Sequence, residues 1–256
     1  MKKRCLNYTV VKSLITFLLL VHFLSASTFV KAKVQLPSIL SSNMVLQQHT
    51  NVKLWGKAQK NSPITIKTSW DNKTYKTIAD KQGKWLLNIS TPVAGGPYEI
   101  TFNDGELLTL KNILIGEVWF CSGQSNMEMP MSGFDRQPTQ GTNDVIAKAK
   151  ASTPIRIYNT DSKDGKWIRQ FSKTPEEDCK GEWLENTPVN VSHTSATAYF
   201  FAQYLQEVLE VPVGIIISSL GGSKVEAWMS REAITPFKSI DLSILNNNEP
   251  IKNITA

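Results

Sequence analysis

The chain has 256 residues, of which 41% are hydrophobic and 20% charged, a composition that indicates a globular protein and excludes a disordered one. The formal net charge of +6 suggests nucleic-acid binding, but five basic residues and no acidic residue lie within positions 1–32. The rest of the chain carries 23 basic and 22 acidic side chains, so the sequence predicts no basic surface for nucleic acid.

The first 32 residues have the pattern of a secretory signal peptide. The segment MKKR is basic, and the apolar LITFLLLVHFLSA is too short and too interrupted for a membrane span. The following FVKA offers small residues for cleavage after Ala32, with cleavage near Ser27 or an uncleaved anchor as the alternatives. We therefore expect a secreted or periplasmic protein without a stable membrane anchor.

Residues 33–112 are predicted to form a β-rich domain, a small β-sandwich. Short runs such as VKLWGKA, ITIKTSW and KWLLNIS alternate between apolar and polar residues and are separated by turn formers. NDGE at residues 103–106 places Asp-Gly between two such runs, which predicts a hairpin. Trp55, Trp70 and Trp85 could form a platform for a sugar, but aromatic residues at strand spacing more often belong to a core.

From residue 113 the pattern changes to alternating strands and helices. ILIGEVWF and VPVGIIISS are continuous apolar runs, typical of strands buried on both faces, and IRIYN is a third strand. Residues 142–151 predict a helix with a Thr or Asn cap, and residues 194–210 predict an amphipathic helix. This order implies a mostly parallel sheet. The predicted inner face of the second helix comprises Tyr199, Phe200, Leu205, Val208 and Leu209.

Two loops follow the carboxyl ends of these buried strands, where ligands bind in open α/β sheets. In SGQSN, Ser125 stands on a predicted strand-to-helix turn, where its own backbone N–H and the helix N-terminus would favour negative charge. In LGGS, Gly221 and Gly222 have no Cβ to keep a backbone N–H away from a reacting oxygen. Together these loops indicate acyl transfer by a serine nucleophile. The pattern is not a G-x-S-x-G elbow, because the second glycine is missing.

GEVWFCSGQSNMEMPM and YFFAQYLQEVLEVPVGIIISSLGGSKVEAWMSREAI closely resemble sialate O-acetylesterases of the SGNH hydrolase superfamily. LPSILSSNMVLQQ and VKLWGKA resemble the leading β-rich domain of the same family. The resemblance implies a secreted carbohydrate esterase that removes O-acetyl groups from sialic acid or a related glycan, without metal or cofactor. It also implies an SGNH-type, flavodoxin-like three-layer α/β domain over residues 113–256.

The resemblance assigns roles to individual residues. Ser125 falls on the nucleophile, and Gly222, or its neighbour Gly221, falls on the second oxyanion donor. Gln124 and Asn126 flank the nucleophile as in the family pattern. The EAW signature matches Glu226 and Trp228, which are expected to shape the substrate pocket and to support the glycine loop.

The general base of the family has no counterpart here. The family has a Gln-Gly-Glu block and an Asp-x-x-His segment, and the sequence contains neither. Its three histidines are His22 in the signal peptide, His49 in the β-rich region and His193 before the long helix, the last two read as structural or loop residues. We therefore expect a fragment or truncated gene product that lacks part of the sheet, exposes an apolar face and hydrolyses esters weakly or not at all.

The sequence leaves other chemistries and functions open. Removal of the signal would leave Cys121 and Cys179, which could pair in an oxidising compartment or remain buried thiols. Cys121 has no nearby cation to lower its pKa, which favours a packed thiol over a nucleophile. Clustered metal ligands are absent from the sequence, and EEDC at residues 176–179 is predicted to be a solvated loop. The alternatives are an acetylxylan-type esterase and a non-catalytic carbohydrate-binding or scaffold protein.

Overall fold

The computed structural model describes residues 33–160, 162–163, 166–167 and 176–243, which all belong to one compact unit, Lys33–Ala256. The predicted signal peptide lies outside these residues. Within them, no helix combines the length and the hydrophobicity needed to cross a membrane.

Strands outnumber helices in the element order. The strands are β1 (Val45–Gln47), β2 (Asn51–Lys57), β3 (Pro63–Thr68), β4 (Thr74–Ile78), β5 (Lys84–Ser90), β6 (Gly95–Asn103), β7 (Leu107–Gly123), β8 (Ile155–Asn159), β9 (Ser162–Lys163), β10 (Lys166–Trp167), β11 (Trp183–Glu185) and β12 (Val213–Ser219). The helices are α1 (Ser125–Glu128), α2 (Thr142–Lys148), α3 (Pro188–Ser192), α4 (Ala196–Leu209), a 3-10 turn (Val225–Trp228) and α5 (Arg231–Ile234).

One mixed sheet contains most of the strands. Its order is β11-β8-β12-β7-β6-β3-β4, and β1 also pairs with β7. β7, β12 and β8 are parallel to one another, whereas β6, β3 and β4 pair in antiparallel fashion. β2 and β5 form a separate antiparallel pair. The coarse prediction of a mixed α/β fold is thus confirmed.

The 17-residue strand β7 joins the β-rich part of the sheet to the parallel part. Its first half pairs with β6 and β1, and from Glu117 onwards it pairs with β12. Gly116 lies where β7 passes from one part of the sheet to the other. A Cβ at this position would lie 2.0 Å from the carbonyl oxygen of Pro212, so only glycine allows this approach. The domain boundary predicted between residues 112 and 113 falls inside this strand.

The hydrophobic core consists of two clusters, one in each half of the described molecule. The first fills the β-rich half and also takes in two aromatic residues from β8 and β11, Tyr158 and Trp183. The second lies between the parallel strands and the helices α1, α2 and α4. Its fully buried members include Met131, Ile155, Ile157, Val191, Ala202 and Ile215.

Several locally encoded elements occur where the sequence predicts them. The turn of NDGE joins β6 to β7, with Asn103 opposite Leu107 and Gly105 at a φ of 113°. IRIYN is β8, and VGIIISS is β12. The helix predicted at residue 142 is α2, but its cap differs from the prediction. Gly141 occupies the N-cap position in the left-handed conformation, and Thr142 is buried inside the first turn.

The predicted inner face of α4 is wrong for three of its five residues. Phe200, Val208 and Leu209 are exposed, whereas Tyr199 is buried. The face that contacts β12 and β8 is formed largely by small residues, with Ala198 and Ala202 buried beside Tyr199. The inner face was predicted from the largest side chains of the helix. The close approach of α4 to the sheet requires small side chains on that face instead.

An exposed apolar surface surrounds the second half of β7. Beyond Gly116, no strand of the described segments pairs with the β7 edge that faces away from β12. Phe120 is 64% exposed there, and Trp119 packs edge-on against Phe201 of α4 with both rings partly exposed. Exposed apolar patches and unpaired strand edges are sites of association or aggregation.

Arg156 brings a charge into the core of the parallel sheet. Its guanidinium is buried, donates to the carbonyl of Ile155 and lies 3.4 Å from a carboxylate oxygen of Glu185. Burial lowers the pKa of Arg156, and the charge of Glu185 opposes that shift. The neighbouring carboxylate therefore offsets part of the desolvation cost of this cation.

Replacement of Glu185 by glutamine is expected to destabilise the fold. The change leaves the buried guanidinium without its counter-charge, and we expect a loss of about 1–3 kcal/mol, reduced from a fully buried pair because Glu185 is partly exposed. Urea unfolding followed by circular dichroism measures the effect. Glu99→Gln, at an exposed position of β6, is the control and should change stability by less than about 0.5 kcal/mol. Equal effects of the two variants would contradict this account of Arg156.

Candidate functional site

Ser125 lies at the point where β7 ends and α1 begins. Gly123, the last residue of β7, pairs with Ser219 at the end of β12 and has a φ of 153°. Gln124 is the N-cap residue of α1, and Ser125 is its first residue. The two parallel strands therefore bring the two predicted loops, residues 122–126 and 220–223, to the same edge of the sheet.

The hydroxyl of Ser125 is exposed to solvent. Its described hydrogen bond is a donation from Oγ to Oε1 of Gln124, at 3.3 Å. The N–H groups of Met127 and Glu128 donate to the carbonyl of Gln124. The first N–H groups of a helix, here those of Ser125 and Asn126, have no intrahelical acceptor and are available to an external oxygen.

The helix that begins at Ser125 is one turn long. The sequence predicts that a helix N-terminus supports negative charge at Ser125, but α1 has only four residues, so few peptide dipoles align behind Ser125. Oxyanion stabilisation at this position therefore depends on individual N–H groups. α1 is held in place by α4, because Thr197 donates to the carbonyl of Asn126 and the hydroxyl of Ser195 to the sulfur of Met127.

Glu128 connects the two loops, although no local sequence pattern predicts this role. Its carboxylate accepts a hydrogen bond from the backbone N–H of Gly221. Gly221 packs so closely that an added Cβ would lie 2.6 Å from Glu128 Oε2 and 3.9 Å from Ser125 Cα. A Cβ at position 221 would displace the carboxylate of Glu128, whereas its distance from Ser125 Cα would be an ordinary contact, so the absence of a Cβ preserves the hydrogen bond to Glu128.

The hydrogen bond between Gly221 and Glu128 gives the two glycines of the loop different environments, although the sequence alone cannot distinguish their roles. The N–H of Gly221 is engaged by Glu128, whereas Gly222 follows in the left-handed conformation with a φ of 75°. Such a φ favours glycine and reverses the direction of the next peptide group. The arrangement therefore favours Gly222 over Gly221 as the second donor to a reacting oxygen.

Trp228 and Glu226 lie after the glycine loop, in the 3-10 turn. The indole N–H of Trp228 donates to the hydroxyl of Ser223 at 3.0 Å, and that hydroxyl donates to the carbonyl of Leu220. Trp228 thus braces the glycine loop from the outside. Glu226 is half-buried, and its backbone carbonyl accepts a hydrogen bond from the backbone N–H of Met229.

The described residues place no histidine in hydrogen-bond contact with Ser125. His193 is the exposed C-cap residue of α3, and His49 lies in the turn between β1 and β2 with a φ of 49°. Activation of Ser125 by a general base is therefore not visible in this part of the chain. As described, the site contains a hydroxyl, candidate N–H donors and a braced loop.

The structure describes both cysteines and the loop at residues 176–179. Cys121 is buried, whereas Cys179 is exposed and so is not the buried thiol that the sequence analysis considered. Cys121 and Cys179 do not form a disulfide, and burial raises the pKa of the Cys121 thiol, which keeps it protonated. The described residues contain no cluster of metal-binding side chains. The loop itself is not simply solvated, because Glu177 forms ion pairs with Lys57 and Lys84.

Comparison with known proteins identifies relatives of this chain. Over 212 residues it is 26% identical to mouse sialate O-acetylesterase and 25% identical to the human sialate O-acetylesterase. A crystal structure of a carbohydrate acetylesterase from Xanthomonas citri superposes with a TM-score of 0.71 at 29% identity, covering 86% of this chain. The chain is a homologue of the sialate O-acetylesterases. No protein-family model matches it.

The similarity extends over only part of each relative. The matches include 77% of this chain but 38% of the mouse protein and 39% of the human one. The chain also covers 46% of the Xanthomonas citri esterase. The predicted resemblance to this family is confirmed, and the chain spans less than half the length of the relatives that it matches.

Proposed function

We propose that this chain carries the nucleophile and oxyanion donors of a carbohydrate esterase that removes O-acetyl groups from sialic acids. The observation that carries the proposal is the exposed Ser125 hydroxyl beside a glycine loop that Glu128 and Trp228 hold in place. The names of its homologues support the choice of an acetylated carbohydrate. Secretion, with the predicted signal peptide removed after Ala32, is part of the same proposal.

The proposed reaction runs through an acetyl-enzyme. Ser125 Oγ attacks the carbonyl carbon of the acetyl ester, and its proton passes to solvent water while the carbonyl oxygen becomes negative. The N–H groups of Ser125 and Gly222 stabilise that oxygen. Collapse of the intermediate releases the sugar alcohol with a proton, and water then cleaves the acetyl group from Ser125 as acetic acid. Gln124 and Asn126 lie beside the reacting group and would contact the sugar.

A low rate is part of the proposal, because the described residues give Ser125 no basic partner. Serine hydrolases without a functional triad still retain catalysis from oxyanion stabilisation and binding, about 10³–10⁴-fold over water. The same observation favours a second candidate, a protein that binds acetylated glycans without cleaving them. The two candidates differ in whether an acetyl group is ever transferred to Ser125.

Release of acetate from O-acetylated sialic acid and from acetylated xylan tests the proposal. We expect slow release from the sialic acid, less from xylan, and none above background with Ser125→Ala. Faster release of acetate from xylan would instead indicate an esterase that acts on acetylated plant polysaccharides. If neither substrate releases acetate and Ser125 takes up no acetyl group from an activated ester, the binding protein is the better account.

A further inference from the structure

The outer face of β2 and β5 carries an unusual set of side chains. Trp55 and Leu86 are cross-strand neighbours, and they remain 37% and 56% exposed. Lys57 and Lys84 form the next outward pair of the same ladder. Of the three tryptophans considered as a sugar platform, Trp85 lies in the core as expected, whereas Trp55 does not.

A cavity of about 720 Å³ opens at this face. Its described walls are residues 35–37, parts of β2 and β5, and residues 176–178. Both lysines of the outer ladder contact Glu177 at 2.5 Å, and Asp178 accepts hydrogen bonds from the backbone and hydroxyl of Ser38. Hydrogen bonds from the lysines, Lys57 first, lower the pKa of Glu177 to about 2, so the carboxylate that forms this wall stays ionised near neutral pH.

The charges that line the cavity restrict what it can hold. Its described lining contains two lysines, both engaged by Glu177, and four acidic residues. This balance disfavours phosphate, nucleic acid and sugar acids. Asp80 Oδ1 accepts from the backbone N–H groups of Gln82 and Lys84, which leaves its second oxygen and the carboxylate of Glu176 as acceptors for hydroxyl donors. The acidic residues are Asp80, Glu176, Glu177 and Asp178.

Two tryptophans give the cavity further features of a sugar site. Trp55 presents a broad amphipathic ring at its edge, a surface suited to the apolar C–H face of a pyranose. Trp85 also lines the cavity, and its buried indole N–H has no acceptor in the structure. That N–H lies on the core side of the β2–β5 pair, so Trp55 is the tryptophan that offers a ring to a ligand at the outer face.

We propose that this cavity binds a neutral oligosaccharide, with one sugar ring stacked on Trp55 and its hydroxyl groups donating to the carboxylates of Asp80 and Glu176. The site shares no residue with the Ser125 site and does not require esterase activity. In an esterase it would anchor the neutral part of a glycan. A sugar acid such as sialic acid is excluded from it by charge.

Binding of xylohexaose and of lacto-N-tetraose, two neutral probes, measured by isothermal titration calorimetry tests the proposal. We expect at least one of them to bind, and Trp55→Ala to weaken that binding by about tenfold or more. Trp55→Phe should lose less affinity than Trp55→Ala, because it keeps an aromatic ring. Tyr204→Ala removes a more exposed aromatic side chain from α4, remote from the cavity lining, and should bind normally.

Three outcomes would overturn the proposal: no binding of either neutral probe, equal binding by Trp55→Ala in a protein with unchanged thermal unfolding, or tighter binding of sialyllactose than of the neutral probes. The test is separate from that of the proposed function. Ser125→Ala should bind the probe like the unmodified protein, and Trp55→Ala should still accept an acetyl group on Ser125.

Discussion

Replacement of Ser125 by alanine is expected to abolish transfer of an acetyl group to the protein. p-Nitrophenyl acetate has a good leaving group, so it can acylate a serine that lacks a strong base. Intact-mass spectrometry after brief incubation should show a single added acetyl group, and peptide mapping should place it on Ser125. The expected loss is complete, because no other described hydroxyl combines this exposure with the neighbouring N–H groups of α1 and the glycine loop.

Ser122→Ala is the matched control for this experiment. Ser122 lies at the end of the same strand and is also exposed, but it precedes the turn and does not begin α1. We expect the control to be acetylated like the unmodified protein. An adduct that persists in Ser125→Ala, whether on Ser122, on Cys121 or elsewhere, would show that the nucleophile has been misassigned.

Replacement of Glu128 by alanine is expected to slow acetyl transfer by about 10²-fold, comparable to the loss of one oxyanion donor. Glu128 holds the N–H of Gly221 and thereby fixes the position of the next residue, Gly222. Without the carboxylate, the loop loses its attachment to α1. Glu128→Gln keeps an oxygen acceptor at the same place and should recover part of the rate, since only the charge is lost.

The effect of Glu128 should appear in the rate of the acetyl transfer step, with a smaller change in the ester concentration at half-saturation. Stopped-flow kinetics with p-nitrophenyl acetate separates the two quantities. Asp135→Ala, which removes a highly exposed carboxylate from the following loop, controls for net charge and should leave both unchanged. Equal rates for Glu128→Ala and the unmodified protein would mean that the glycine loop is positioned by other contacts.

The location of Ser125 on a strand-to-helix turn could be predicted because it depends on local signals. A continuous apolar run specifies a buried strand, and glycine followed by short polar residues specifies the turn that ends it. The same reasoning located β8, β12 and the hairpin between β6 and β7. These elements require only the side-chain period of a strand and the conformational range of glycine, both of which can be read within a few residues.

Long-range contacts decided what the sequence left open. The bond between Glu128 and Gly221 joins residues 93 positions apart, so no local pattern distinguishes Gly222 from Gly221. The inward face of α4 was predicted from its bulky residues, but the sheet accepts its alanines because close helix packing excludes larger side chains. Likewise, Trp55 and Trp85 have similar strand contexts, and only the pairing of β2 with β5 places one outside and the other in the core.

The sequence by itself thus determined the class of the fold, the family resemblance and the identity of the candidate nucleophile, since these follow from periodicity, turn chemistry and motifs. The tertiary structure decided which carboxylate binds the N–H of Gly221 and where an exposed tryptophan lies beside a charged cavity. Those features arise when distant segments approach, and their energies depend on distances and burial that a linear pattern does not contain.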